Sequence, residues 1–225
     1  MEKVKNHFEE EAAAFDEIIK MIIPHYEKMI QALVDAIPFD ESANIKVLDL
    51  GCGTGNVSYN IKKRFPNSEI VCLDLAENMI KLAKNKLSEY DDITYKIMDF
   101  RNINFKNEFN VVISSLAIHH LIDDEKKKIY KHIYDSLRYN GVFYNADIIL
   151  GSNDELQNIY MEKWIQHMLK KISMDEIDST WLPKHKDEDI PAKITDHIRW
   201  MEDLGFKGID IVWKQYYFGV YGGTK

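Results

Sequence analysis

The stretch Val47-Leu48-Asp49-Leu50-Gly51-Cys52-Gly53-Thr54-Gly55-Asn56 decides the fold. The apolar run ending at Leu50 reads as a strand. Glycines at 51, 53 and 55 let the backbone turn sharply and approach a ligand before a helix that starts near Asn56. Turns of this kind serve nucleotide-type ligands. The dinucleotide fingerprint G-x-G-x-x-G requires its third glycine at position 56, which is Asn56, and the P-loop lysine is absent. Asp49, two residues before the first glycine, sets a negative charge beside the turn, which repels a pyrophosphate and attracts an ammonium group.

Outward from the turn, short apolar runs at 45–50, 70–75, 93–98, 109–115 and 142–149 alternate with segments long enough for helices. Such runs and crossovers imply parallel strands covered on both faces, an α/β doubly wound sheet. Residues 2–37 read as helix. Phe8, Ala12, Phe15, Ile18, Ile19, Ile22 and Ile23 recur at threes and fours until Pro24 interrupts, and a second helical stretch covers 26–37. After Gly151 the alternation stops, and a structureless loop of that length is uncommon inside a compact domain. Residues 151–193 are therefore read as a helical insert, or lid, over the binding edge of the sheet. Residues 194–204 form a further helix stopped by Gly205. The runs 208–214 and 216–221, separated by Gln215, either pair antiparallel through a tight turn or form one bent strand. The expected divisions are a helical cover (1–40), an α/β core (41–150), the insert (151–193) and a C-terminal helix with the last two strands (194–225).

With 225 residues the chain fits one domain with a lid, and 45% hydrophobic against 29% charged residues excludes a disordered or fibrous protein. No apolar stretch approaches the roughly 20 residues that cross a bilayer, and the first residues do not read as a signal peptide, so a cytoplasmic location is expected. Cys52 and Cys72 make neither a disulfide framework nor a zinc pattern. The net charge is −8, with nine acids against four bases in residues 1–40 and thirteen against ten in residues 151–225. A phosphate-tracking surface needs a basic face, so nucleic acid is disfavoured and small molecules lead as partners.

The quoted turn resembles the first motif of the class I S-adenosylmethionine-dependent methyltransferases, an acidic residue followed by G-x-G-x-G, and the resemblance runs over almost the whole chain. It implies a seven-stranded, mostly parallel sheet with the last strand antiparallel, a helical cover and an insert between strands five and six. It also implies S-adenosylmethionine as cofactor, held by Asp49, Gly51, Cys52, Gly53, Gly55, Asp74, Leu75, Met79, Asp99, Phe100 and Ser115. In the family the acid at Asp74, 23 residues after Gly51, accepts hydrogen bonds from the ribose hydroxyls. Met98-Asp99-Phe100 resembles the adenine pocket, with Asp99 near the exocyclic amine and Phe100 beside the ring. Position 76, often a capping Ser in the family, is Ala76, which weakens that cap. Phe15-Asp16 stands where relatives often carry Tyr-Asp closing over the cofactor. Phe8, Phe15 and Tyr26 are candidate walls that attract a sulfonium by cation–π contact.

Ser115-Leu116-Ala117-Ile118-His119-His120-Leu121 resembles the segment lining the methyl-transfer chamber. His119 and His120 either satisfy backbone carbonyls beneath the lid or supply a base that takes the acceptor's proton. Many methyltransferases need no base, because an aligned nucleophile suffices. Trp164 and His167, Trp181 and His185, and His197 and Trp200 lie three or four residues apart. On helices each pair shares a face, and they either pack in the core or wall an aromatic acceptor pocket. Trp164, His167, Trp181 and Trp200 are carried forward as pocket candidates. No histidine spacing matches a metal-ligand motif, so no metal is expected. The reading is methyl transfer to an oxygen, nitrogen or sulfur of a small acceptor. The alternatives are an RNA or protein methyltransferase, a cofactor-binding sensor without turnover, and an enzyme that carboxylates the cofactor. The last needs a cation beside the methyl site, and arginine is scarce, at 64, 101, 138 and 199.

Overall fold

The computed structural model of the protein describes residues 2–11 and 14–225; Ala12 of the apolar stripe lies outside the described residues. The N-terminal periodicity resolves into three helices, α1 (Glu2–Glu11), α2 (Phe15–Ile22) and α3 (Tyr26–Asp35). Pro24 ends the stripe because its ring fixes φ and it offers no N–H. His25, at a left-handed φ of 57°, turns the chain into α3.

The core then alternates β1 (Lys46–Leu50), α4 (Asn56–Arg64), β2 (Glu69–Asp74), α5 (Glu77–Lys86), β3 (Ile93–Ile97), β4 (Phe109–Ser115), α6 (Asp123–Ser136) and β5 (Leu137–Leu150). The region after Gly151 is helical: α7 (Asp154–Met168), α8 (Met174–Glu176), a π-helical turn (Ile177–Trp181) and α9 (Leu182–Glu188). A two-residue strand β6 (Ala192–Lys193), α10 (Ile194–Leu204), β7 (Lys207–Gln215) and β8 (Phe218–Thr224) follow.

The sheet runs β3-β2-β1-β4-β5-β8-β7, with β6 pairing beside β5. The first five strands are mutually parallel, and β8 is antiparallel to both of its neighbours. This is the expected seven-stranded, mostly parallel sheet with its last strand antiparallel. The strand order reverses between β1 and β4, which opens a crevice at their carboxyl ends where such sheets bind ligands.

Two local expectations are refined. The terminal runs form a hairpin and not a bent strand: Gln215 pairs with Phe218 across Tyr216-Tyr217, and Tyr216 takes the positive φ (49°) that a two-residue hairpin loop demands. Strand β5 starts at Leu137, ahead of the expected 142, because it opens on Arg138, Tyr139 and Asn140, whose exposure leaves no apolar run to read.

Successive strand residues face opposite sides, so Val47 and Val111 join one core and Leu48 and Val112 the other. The first core carries α3 and α4 and continues into the insert through Trp164, Met168, Ile177 and Trp181. The second carries α6 and α10 through Ile129, Tyr130, Ile133 and Met201. Trp164 Nε1 donates to the Ile22 carbonyl at 2.7 Å, which seats α7 on the end of α2.

Candidate active site

The turn after β1 is shaped by close packing. Gly51 has φ 69°, and a Cβ there would stand 2.5 Å from the Ala117 Cβ, so only glycine fits. Gly55, φ 84°, opens α4 while pressing on Ala83 and Leu87. Between them the Gly53 N–H donates to Asp74 Oδ2 at 2.8 Å, and Asp74 Oδ1 accepts from the Ala76 N–H at 2.9 Å. One carboxylate at the end of β2 thus braces the turn and starts α5, which replaces the cap that the Ala76 side chain lacks. Glu9 of α1 adds to it, accepting from the N–H groups of Glu77 (2.6 Å) and Asn78 (2.8 Å). The cover is thereby fastened to a helix N-terminus.

Beneath the cover lies a cavity of about 710 Å³ measured to its open mouth. Gly51, Gly53, Asp74, Leu75, Met79 and Phe100 line its core side, and Phe8, Phe15 and Tyr26 line its cover side. Ser115 Oγ, on its wall, is buried and has no hydrogen-bond partner among the described residues. A second cavity of about 700 Å³ adjoins the first, and Phe8, Phe15, Leu116 and His120 line both. Its walls are apolar, from Ile18, Ile22, Ile148, Trp164 and Trp181, and one corner is polar, with His119, His120, His185 and Asp189. Leu116, at the boundary, holds a positive φ of 52°, a strained conformation of the kind that concentrates at functional sites.

The polar corner is a hydrogen-bonded cluster. His119 Nδ1 pairs with Asp147 Oδ1, and the His119 N–H donates to Asp147 Oδ2 at 3.1 Å. His119 Nε2 lies 3.3 Å from Asp189 Oδ1, and His120 Nδ1 lies 3.1 Å from the same oxygen. Asp189 Oδ2 meets His185 Nδ1 at 2.7 Å, and His185 Nε2 meets Tyr217 Oη at 2.9 Å. The ring of Trp164 packs edge-on against His185.

A methyltransferase domain family matches residues 47–141, the span from β1 into β5. Over that span the chain is similar to methyltransferase domains, as the resemblance of its glycine turn to the class I S-adenosylmethionine-dependent methyltransferases led one to expect. Among its relatives, the carboxy-S-adenosyl-L-methionine synthase of Nautilia profundicola is 24% identical over 216 residues, 95% of this chain and 92% of that protein. The malonyl-[acyl-carrier protein] O-methyltransferase 1 of Ilyobacter polytropus is 34% identical over 95 residues, 42% of this chain and 35% of that one. Two solved structures share the fold. A Haloferax volcanii protein in complex with the Trm112 methyltransferase activator has a TM-score of 0.69 at 16% identity, over 96% of both chains. Human N-acetylserotonin methyltransferase has a TM-score of 0.65 at 16% identity, over 98% of this chain and 56% of that one.

The expected site residues divide. Gly51, Gly53, Asp74, Leu75, Met79, Phe100, Ser115, Phe8, Phe15 and Tyr26 converge on the first cavity, and His119, Trp164 and Trp181 on the second. Asp49, Cys52, Gly55 and Asp99 line neither. Asp49 turns under α4, where it accepts from Ser58 Oγ at 2.6 Å and burial pushes its carboxyl up to about 7. The carboxylate expected beside the turn therefore sits behind it. Cys52 is buried with its thiol toward the Gly53 carbonyl. Asp99 is taken up by Arg101, accepting from its N–H at 2.9 Å and from its guanidinium. Only Phe100 of the adenine pair reaches the cavity.

His167 opens instead onto an outer groove with His25, Lys163 and Lys170. Trp200 lies across the sheet against Tyr130 and His197, because α10 covers the opposite face. The two pair members share a helical face as expected, but that face is core.

The histidine pair is electrostatically split. Burial lowers the His119 pKa, yet the charges of Asp147 and Asp189 push it up to about 10, so His119 is a fixed cation with both ring nitrogens engaged. In this arrangement neither of its ring nitrogens is left to take a proton from an acceptor. His120 is held below the usual imidazole range by burial and by the His119 charge, and its Nε2 is buried without a partner among the described residues. Asp189 stays ionised despite burial because His119, His120 and His185 surround it. His119, His120 and Asp189 place one ligand-type atom each within 4.8 Å of one another, and both histidines contact Asp189 Oδ1. Sequence reading missed Asp147, Glu9 and Asp189. Asp147 sits near the carboxyl end of a strand, which is where open α/β sheets carry their sites.

Proposed function

We propose that this chain is a methyltransferase that moves a methyl group from S-adenosylmethionine to an oxygen, nitrogen or sulfur of a small acceptor with an apolar body. The observation that carries the reading is the boundary between the cavities, where His120 lines both and its Nε2 is without a hydrogen-bond partner among the described residues.

The first cavity suits the cofactor. The backbone at Gly51 and Gly53 leaves room for close approach, Asp74 offers oxygens to ribose hydroxyls, and Leu75, Met79 and Phe100 flank an adenine. Ser115 Oγ supplies a buried polar atom in need of a partner. Bound there, the cofactor supplies a sulfonium-activated methyl group open to in-line displacement. Phe8 and Phe15, common to both cavities, present ring faces that favour a cation and exclude water. The acceptor's apolar body packs against Ile18, Ile22 and Trp181, and its nucleophile points to the polar corner. His120 Nε2 takes the proton that the nucleophile loses as the new bond to carbon forms and the carbon–sulfur pair leaves on sulfur. The region 151–193 acts as the lid that keeps this chamber dry.

The net charge of −8 disfavours RNA as acceptor. A second reading, carboxylation of the cofactor, draws support from relatives of that name that match the chain almost end to end. It needs a cation to hold a carboxylate. The four arginines are engaged elsewhere, Arg64 with the Val34 carbonyl, Arg101 with Asp99 and Glu125, Arg138 with Asn110 and Arg199 with Asp196, so within the second cavity that cation would have to be Lys184 or His119, which line it.

The test is incubation with methyl-labelled S-adenosylmethionine and panels of phenols, thiols, amines and heteroaromatics, with mass spectrometry of the products. Label in a low-molecular-weight product supports the reading. Label only in RNA or protein, or a carboxylated cofactor released from the denatured enzyme, overturns it.

A further inference from the structure

The insert reaches the histidine pair through one carboxylate. Asp189, just past α9, places Oδ1 3.1 Å from His120 Nδ1, and the neighbouring Glu188 carbonyl lies 3.1 Å from the same nitrogen. Both are acceptors, so the nitrogen they face carries a proton. A neutral imidazole has only one, and the lone pair is then left on Nε2, on a residue that lines both cavities.

We infer that Asp189 is a positioning residue of this enzyme: by accepting the Nδ1 proton of His120 it fixes the tautomer whose Nε2 can take a proton from the methyl acceptor. This rests on the reading of His120 as the proton acceptor. The carboxylate is aimed for that task. Tyr217, on the β7–β8 hairpin, donates to His185 Nε2, and His185 Nδ1–H donates to Asp189 Oδ2. His119, braced by Asp147, holds the other oxygen. Asp189 is thus pinned from the hairpin on one side and from β5 on the other.

A second consequence concerns the lid. Asp189 and the Glu188 carbonyl both arrive with the insert, 69 and 68 positions after His120 in the chain. The core alone cannot set this tautomer. Seating the insert, which walls the chamber with Trp164 and Trp181, also prepares the base, so proton acceptance is coupled to exclusion of water.

The experiment reads the tautomer directly and needs no acceptor. Protein labelled with 15N-histidine is examined by long-range 1H–15N correlation at neutral pH, with the His120→Gln variant assigning the His120 signals. The full chain should show His120 protonated at Nδ1 and bare at Nε2. Asp189→Ala should shift His120 toward the Nε2–H form, because only the neutral Glu188 carbonyl then holds the Nδ1 proton, and Asp189→Asn, which keeps an amide oxygen, should shift it less. His197, on the opposite face of the sheet, should keep its signals as the internal measure of folding, and cofactor affinity by calorimetry should not change. A His120 tautomer identical in the wild type and Asp189→Ala overturns the inference, as does a wild type already protonated at Nε2. Failure of the acceptor panels leaves the tautomer result standing, so the two readings fail separately.

Discussion

Asp16 Oδ1 accepts a 2.6 Å hydrogen bond from Thr54 Oγ1, so the helix that covers the cofactor cavity is tied to the glycine turn itself. The same carboxylate accepts from Asn56 Nδ2 (2.9 Å) and pairs with Lys86 Nζ (2.5 Å). Burial raises the Asp16 pKa, but Lys86, Thr54 and Asn56 outweigh it and hold the carboxyl below the usual range. Cover, turn and α5 therefore meet in one charged knot. Replacing Asp16 with Ala should free α2 and speed cofactor release. Its side chain is 41% exposed, so solvent screening keeps the effect near about 1 kcal/mol, roughly fivefold in the dissociation rate. Stopped-flow measurement of cofactor release checks this, and an unchanged rate refutes it.

Asp74→Ala should act more strongly. The substitution removes a partly buried acceptor for the Gly53 and Ala76 N–H groups together with the proposed ribose contact. A hydrogen bond to a charged group is worth about 1.5–3 kcal/mol, so cofactor affinity should fall by more than about tenfold. Asp74→Asn keeps one acceptor oxygen and should fall between the two. Calorimetric titration giving wild-type affinity for Asp74→Ala would remove the ribose assignment.

Gly51→Ala tests the turn by shape. The added Cβ meets the Ala117 Cβ at 2.5 Å and forces alanine to a φ of 69°, a strain of about 1–3 kcal/mol before the clash is counted. Thermal unfolding should drop by several degrees, and cofactor binding should fall with it. The double variant Gly51→Ala/Ala117→Gly should recover the steric part only. Full recovery would show that φ strain is unimportant there.

These residues also mark how far the sequence could be read. The glycine turn, its flanking strand and the doubly wound alternation are local patterns, and they were legible because strand and helix periods are written into neighbouring residues. Asp74, Phe100 and Ser115 came from the resemblance to the methyltransferase motifs. What escaped depends on direction or on distance in the chain. Asp49 belongs to the right motif, but its side chain follows the strand's alternation to the far side of the turn. Trp200 shares a face with His197 as its spacing predicts, and only the path of α10 decides that the face covers the other core. Asp189 meets His120 across 69 positions, through an insert with no local signature of its docking. The division between His119 and His120, adjacent in the chain but one charged and the other neutral, is likewise set by Asp147 and Asp189, which no spacing rule links to them.

Two buried histidines should give the enzyme opposing pH responses, and the signs follow from their shifts. His197 Nδ1 is hydrogen-bonded to Tyr130 Oη at 2.6 Å on the far face of the sheet, and burial lowers its pKa to about 4. Unfolded, it titrates near 6.5, so its neutral form contributes stability that is fully present above about pH 6.5 and is lost as pH falls toward 4. His119 is the reverse case. Its pKa, lowered by burial but raised by Asp147 and Asp189 to about 10, makes its contribution complete below about pH 6.5 and lost as pH rises toward 10. Urea unfolding across pH 4 to 10 separates them. The stability advantage of the wild type over His197→Gln should shrink on acidification and stay flat in base. Its advantage over His119→Gln should shrink on going from pH 7 toward 10, because the unpaired Asp147 and Asp189 of the variant are charged throughout that window while the wild type loses its imidazolium. If instead the wild-type advantage over His119→Gln were constant through alkaline pH, His119 would be neutral in the folded enzyme and would compete with His120 as the base.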